Sequence, residues 1–156
     1  MIQSKNLAKR LQEVYIDGKW IANTNYKEQI ENTTWQEATK KIESFNTIAV
    51  LTYHINYYLT GILNVFNGGA LEIKDKYSFD VPEIQSEKEW KDLVDEFLTN
   101  THLFIAKVNS LPDTILNSSF VNEKYGNYAR NIEGVIEHSY YHLGQIVLIK
   151  KIISTQ

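Results

Sequence analysis

The sequence predicts an all-α fold, a four-helix bundle with long inter-helix connections. Three observations predict it. Only 2 Pro and 7 Gly interrupt 156 residues, few breaks for so long a chain. Thr34-Trp35-Gln36-Glu37 and Ser86-Glu87-Lys88-Glu89 are both capping boxes, in which a hydroxyl and a carboxylate satisfy the first free amides of a helix. Apolar residues then recur every three or four positions over long stretches, the spacing of a helix with one buried face. One domain spanning residues 1–156 is large enough to bury a core.

The first helix is expected from about Gln3 to Ile16, where Leu7, Leu11, Val14 and Tyr15 form an amphipathic stripe that Asp17-Gly18 stops. The stretch from Gly18 to Asn32 shows no clear period and reads as a packed loop. A second helix begins at Thr34 and carries Trp35, Ala38, Ile42, Phe45, Ile48, Thr52, Ile55, Leu59, Ile62 and Phe66, spaced like a bundle seam. Gly68-Gly69 ends it. Its length exceeds that of the usual globular helix, which leaves room for a break near Ser44 to Thr47. Residues 70–85 contain Pro82 and suit a crossover, or a strap over one end of the bundle. The third helix runs from Ser86 through Trp90, Leu93, Phe97, Phe104 and Val108 to about Ser110, where Leu111-Pro112-Asp113 closes it. Residues 113–126 are polar and Asn/Ser-rich and read as loop. The fourth helix extends from Tyr128 or Asn131 to Ile153.

Charge and composition narrow the function. Net charge is −3, with Lys and Arg scattered, so no clustered basic surface points to nucleic acid. No run of 18 apolar residues predicts a membrane span, and Met1 to Arg10 lack a signal-peptide core, which makes the cytoplasm the expected location. With no Cys, thiolate nucleophiles, disulfides and Cys-ligated zinc are excluded. Any metal is held by His, carboxylate or backbone oxygen.

Histidine supplies the pattern. His138 and His142 lie four residues apart, about 40° around a helix and roughly 6 Å along it. Both imidazoles therefore leave one face, together with Val135, Gln145 and Ile149. His54 stands on the second helix on a stripe with Val50, Tyr58, Gly61 and Val65. Three such residues compose an open three-ligand site, with remaining positions left for water or substrate. The competing account is ordinary core and surface histidine, because two-residue spacings recur by chance. His102 falls off the core stripe of its helix and reads as surface or rim. Gln145 is the candidate for orienting a ligand, and Glu137 points away from the His pair.

At these residues the chain resembles the DinB-like superfamily of small four-helix bundles, which includes bacillithiol-dependent transferases and a mycothiol-dependent isomerase. The resemblance rests on Gly18-Lys19-Trp20, on the segment Ile48 to Ile55, on Ser78-Phe79-Asp80-Val81-Pro82, and most specifically on Asn127 to Asn131 leading into Gly134 to Ile146. It implies a metal triad on His54, His138 and His142, and homodimers as a common assembly. Zinc or nickel is the expected divalent ion, although three histidines also suit iron or copper. The likeliest reaction by resemblance is transfer of a low-molecular-weight thiol to a small electrophile, with metal-assisted hydrolysis next. No Asp or Glu stands out as a general base and no catalytic side chain is assigned. The alternative is a non-catalytic small-molecule-binding or structural helical bundle.

Overall fold

The computed structural model describes residues 2–155, and their regular structure is helical, with no strand beyond a lone bridge between Ser119 and Asn127. Four long helices carry the core: α1 (Ile2–Gln12), α4 (Ile48–Phe66), α5 (Glu87–Ser110) and α7 (Tyr128–Ser154). Three short ones, α2 (Tyr26–Glu31), α3 (Trp35–Thr39) and α6 (Asp113–Leu116), sit in the connections. Helix α5 packs on α1 and α4, and α7 packs on the same two helices. No described helix is long and apolar enough to cross a membrane.

The structure corrects the expected boundaries of three segments and the helix type of a fourth. The second helix is divided: α3 ends at Thr39 and α4 starts only at Ile48, so the break expected near 44–47 opens already at Lys40. The cause is local. Glu43 takes a positive φ of 45°, and the Thr47 hydroxyl accepts from Val50 N–H, starting a new helix. Phe45, which matched the seam by spacing, is left 45% exposed, while Ile42 is buried without being helical. The stretch 18–32 contains α2, capped by the Asn25 side chain accepting from Glu28 N–H and anchored by buried Tyr26 and Ile30. The first helix continues past Gln12 as a π-helical turn, Glu13–Asp17. Residues 113–126 hold α6 and a 3₁₀ turn at Glu123–Tyr125. Both predicted N-caps are present, but Glu89 reaches Gln85 N–H rather than closing a full box on Ser86.

Helix directions follow from the side-chain pairings. Phe66 stacks on Tyr128 while His54 meets His138 and His142, so α4 and α7 are antiparallel. Asn56 bonds Glu96 and Asn100, and Phe66 stacks on Phe104, so α4 and α5 are parallel. Two parallel helices in succession oblige the chain to return the length of the first, about 28 Å for 19 residues. Residues 67–86 make that return. They descend α4 step by step: Ile73 fills the space a side chain at Gly61 would need, Tyr57 bonds both backbone groups of Lys74, Tyr58 bonds Asp75, and His54 meets Ser78.

One buried polar network fixes α7 beside the histidines. The Tyr15 hydroxyl donates to Ser139 Oγ at 2.5 Å, Ser139 Oγ donates to Val135 O at 2.6 Å, and Tyr26 donates to Ser139 O at 2.7 Å. The rings of Tyr15, Tyr26 and Phe97 pack together at 5.4–5.8 Å between centroids, which ties this network to α5. Burial pushes both tyrosine hydroxyls far above their ordinary pKa, so they remain donors. Phe97→Ala removes a fully buried ring and should cost about 3–5 kcal/mol, whereas Tyr26→Phe, which loses one net hydrogen bond, should cost about 1 kcal/mol. Urea denaturation measures both.

Candidate metal centre

The three histidines expected from the sequence come together. His54 Nε2 lies 3.1 Å from His138 Nε2, and His142 Nε2 lies 2.9 Å from the same atom. All three ligand atoms fall within 4.8 Å of one another, and no carboxylate joins the group among the described residues. His54 and His142 are buried, and His138 is half-buried.

The outer ring nitrogens explain why these three face inward. His54 Nδ1 is 3.2 Å from Ser78 O, and His142 Nδ1 is 2.6 Å from Gln145 Oε1. A carbonyl oxygen only accepts, so each Nδ1 carries the hydrogen and each Nε2 presents a lone pair. His138 Nε2, between them, brings at most one hydrogen to a cluster of three nitrogens. The cluster is therefore short of hydrogen and rich in lone pairs, the electronic condition a cation satisfies. A tetrahedral ion with bonds of about 2.0–2.1 Å sets its ligand nitrogens about 3.3 Å apart. The two spacings to His138 need to open by only a few tenths of an ångström to match, and His54 and His142 lie within 4.8 Å of each other, so three neutral imidazoles stand within reach of one divalent transition metal.

Electrostatics keep the ligands in their binding form. Burial, then the neighbouring His142, pushes His54 down to about 4, with the Ser78 carbonyl and Asp75 opposing. Burial pushes His138 down to about 4 as well, reinforced by His142 and His54. His142 is lowered by burial, with its bond to Gln145 opposing. All three are thus neutral at neutral pH, as a metal ligand must be.

Other expected residues also find places. Gln145 holds His142, the orienting position foreseen for it. Glu137 is exposed and pairs with Arg130 at 3.0 Å, away from the triad. His102 is exposed on α5 beside α1 and takes no part. Sequence reasoning missed the partners supplied by the returning strap. Phe79 stacks flat on His54, 3.9 Å between centroids and 8° from parallel. Tyr58 sets its ring edge-on against both His54 and His138 while donating to Asp75 Oδ1 at 2.8 Å. The motif Ser78-Phe79-Asp80 contained that signal, but nothing in it specified the histidine it would touch. No family model matches the chain, and no curated protein or solved structure matches it either.

The lowered histidines set a pH dependence. Unfolded imidazoles take up protons near 6.5, whereas His54 and His138 resist protonation down to about 4. The unfolded state binds more protons in between, so stability of the metal-free protein is full above about pH 6.5 and falls as pH drops toward about 4. The urea midpoint should decline across that window in the parent and less in His138→Leu. Zinc at a hundredfold excess over its dissociation constant should add about 2.7 kcal/mol at neutral pH.

Proposed function

We propose that the chain is a divalent-metal-dependent enzyme of the DinB-like type. In this reading it is one four-helix-bundle domain, a cytoplasmic homodimer, with zinc or nickel on His54, His138 and His142. Its reaction is transfer of a low-molecular-weight thiol to a small electrophile, with metal-assisted hydrolysis as the neighbouring chemistry. The observation that carries the reading is the convergence of three Nε2 atoms, two of which present lone pairs because carbonyl acceptors at the far side of the ring hold the proton on Nδ1. A divalent ion held by these three neutral imidazoles would keep its full charge and would supply acidification of a bound water or thiol. The chain's own groups hold the geometry: the Ser78 carbonyl and Gln145 set two rings, and Phe79 covers one face of His54 against water. Exposed Tyr141 and Leu148, seven residues apart on α7, offer a dimer an apolar face.

A second reading, a non-catalytic small-molecule-binding bundle, is favoured by one specific feature. Among the described residues no carboxylate joins the triad, and Asp75, which lies near it, already accepts from Tyr58. Elemental analysis of protein purified without a metal-chelating tag separates these accounts from a metal-free one. Close to one equivalent of transition metal is expected in the parent and little in His138→Ala/His142→Ala. No uptake, even after incubation with zinc or nickel, removes the triad as a metal site. Thiol transfer to a small electrophile should rise above background only in the metallated parent, and a flat assay on fully metallated protein would favour the binding reading.

A further inference from the structure

Beside the triad a trough of about 380 Å³ runs between α4 and α7, with Tyr58 and Ile62 on one side and Arg130, Gly134 and His138 on the other. Tyr125 closes its end. The trough is large enough for a small molecule. It also has His138 in its wall, so an occupant lies against a ligand of the proposed metal. We propose that this trough is a substrate subsite that holds a small-molecule oxyanion, carboxylate or phosphate, on Arg130. The inference deepens the metal-enzyme reading and takes its reacting centre from it.

Three observations converge on this assignment. Arg130 is 58% exposed, and both of its contacts with Glu137, at 3.0 and 3.2 Å, use Nη1. Glu137 therefore holds the guanidinium in place while Nε and Nη2 remain as donors, the planar pair that matches a carboxylate or phosphate. The second observation is Gly134, between Arg130 and His138 at steps of four residues. A Cβ there would meet nothing within 4 Å. Mid-helix glycine is less favourable than Ala. Neither packing nor helix propensity accounts for glycine here, but it leaves the floor open between the cation and the histidine.

The third observation is the trough's end. Asn131 donates from Nδ2 to Tyr125 O and Asn127 O, both at 2.8 Å, pinning the Glu123–Tyr125 turn to the start of α7. Lys124 lies 4.7 Å over the Tyr125 ring and, with Glu123 in the same turn, leaves that end near neutral, so Arg130 is the cation of the trough wall. The opposing charges are Glu137 on Arg130 and Asp75 on Tyr58, and each is already hydrogen-bonded by that partner. An occupant with a flat or apolar body fits between Tyr58, Ile62 and Tyr125, its anion on Arg130 and its other end toward His138.

Benzoate and phenylphosphonate serve as anionic probes and benzamide as the neutral one, each titrated into ¹⁵N-labelled protein, metal-free and zinc-loaded, while the Gly134 amide is followed. Both anions should shift that amide in either form, since Arg130 needs no metal, and benzamide should bind much more weakly. Arg130→Gln should weaken the anions roughly tenfold, the value of a charged hydrogen bond. Gly134→Ala should melt higher but bind the anions more weakly, and Gly134→Leu, which fills the trough, should lose binding. Equal affinity in Arg130→Gln and the parent, or equal affinity for benzamide and benzoate, overturns the subsite. Zinc content of the same samples keeps the two ideas apart. Metal uptake without Arg130-dependent binding removes the subsite alone. Arg130-dependent binding in protein that takes no metal removes the metal reading and leaves the oxyanion site.

Discussion

Three imidazoles whose Nε2 atoms converge with at most one hydrogen among them hold more lone pairs than they can satisfy, and the architecture around them answers that cost. Neutral nitrogens 2.9–3.1 Å apart with at most one hydrogen to share do not attract each other enough to organise a protein. The force that brings them together comes from elsewhere. Ser139 stands between His138 and His142 in sequence and is gripped from both sides by Tyr15 and Tyr26, whose rings pack on Phe97 of α5. Core burial thus fixes α7 where the histidines must be, and the histidines follow as passengers. This is the usual relation between a functional site and its scaffold: rigidity is built in apolar and fully bonded polar contacts, and the strained group sits on top.

The return strap shows the same economy. Parallel α4 and α5 force a crossing of the whole helix length, and any chain that makes it passes His54. Here the crossing is used. Ser78 supplies the carbonyl that fixes the His54 tautomer, Phe79 shields the ring, and Tyr57 and Tyr58 staple the strap to α4 one turn away. A carbonyl on one ring and an amide side chain on another leave the third, His138, as the imidazole that faces the α4–α7 trough. The asymmetry gives the site a back and a front.

Much of this was legible in the sequence because it depends on local spacing. The i, i+4 pair, the apolar stripe of α7, the caps at Thr34 and Ser86 and the stop at Pro112 are all properties of neighbouring residues. So was Gln145, one turn beyond His142. What escaped depends on contacts between distant segments. Phe45 has the period of a core residue yet is exposed, since the chain turns out of helix at Lys40 and resumes at Thr47. Helix α2 offers only Tyr26 and Ile30 as apolar marks, too few to show a period. The motif Ser78 to Pro82 stood out, but its contacts could not be assigned, because nothing local names His54 as the partner until the parallel order of α4 and α5 lays the strap on it.

Glycine 134 illustrates how far a local reading goes. In the sequence it is a mildly unfavourable residue inside a long helix, and the natural inference is a close helix approach that demands it. The structure removes that inference, since a Cβ would meet open space. Its neighbours on the same side of α7 are the Arg130 guanidinium and the His138 imidazole, and across from it stand Tyr58 and Ile62 of α4. A residue kept small where nothing presses on it argues for something that occupies the space at another time. The Arg130–Glu137 pair supports the same conclusion: an exposed salt bridge stabilises a helix by a few tenths of a kcal/mol at most, so its value here lies in where it holds the guanidinium.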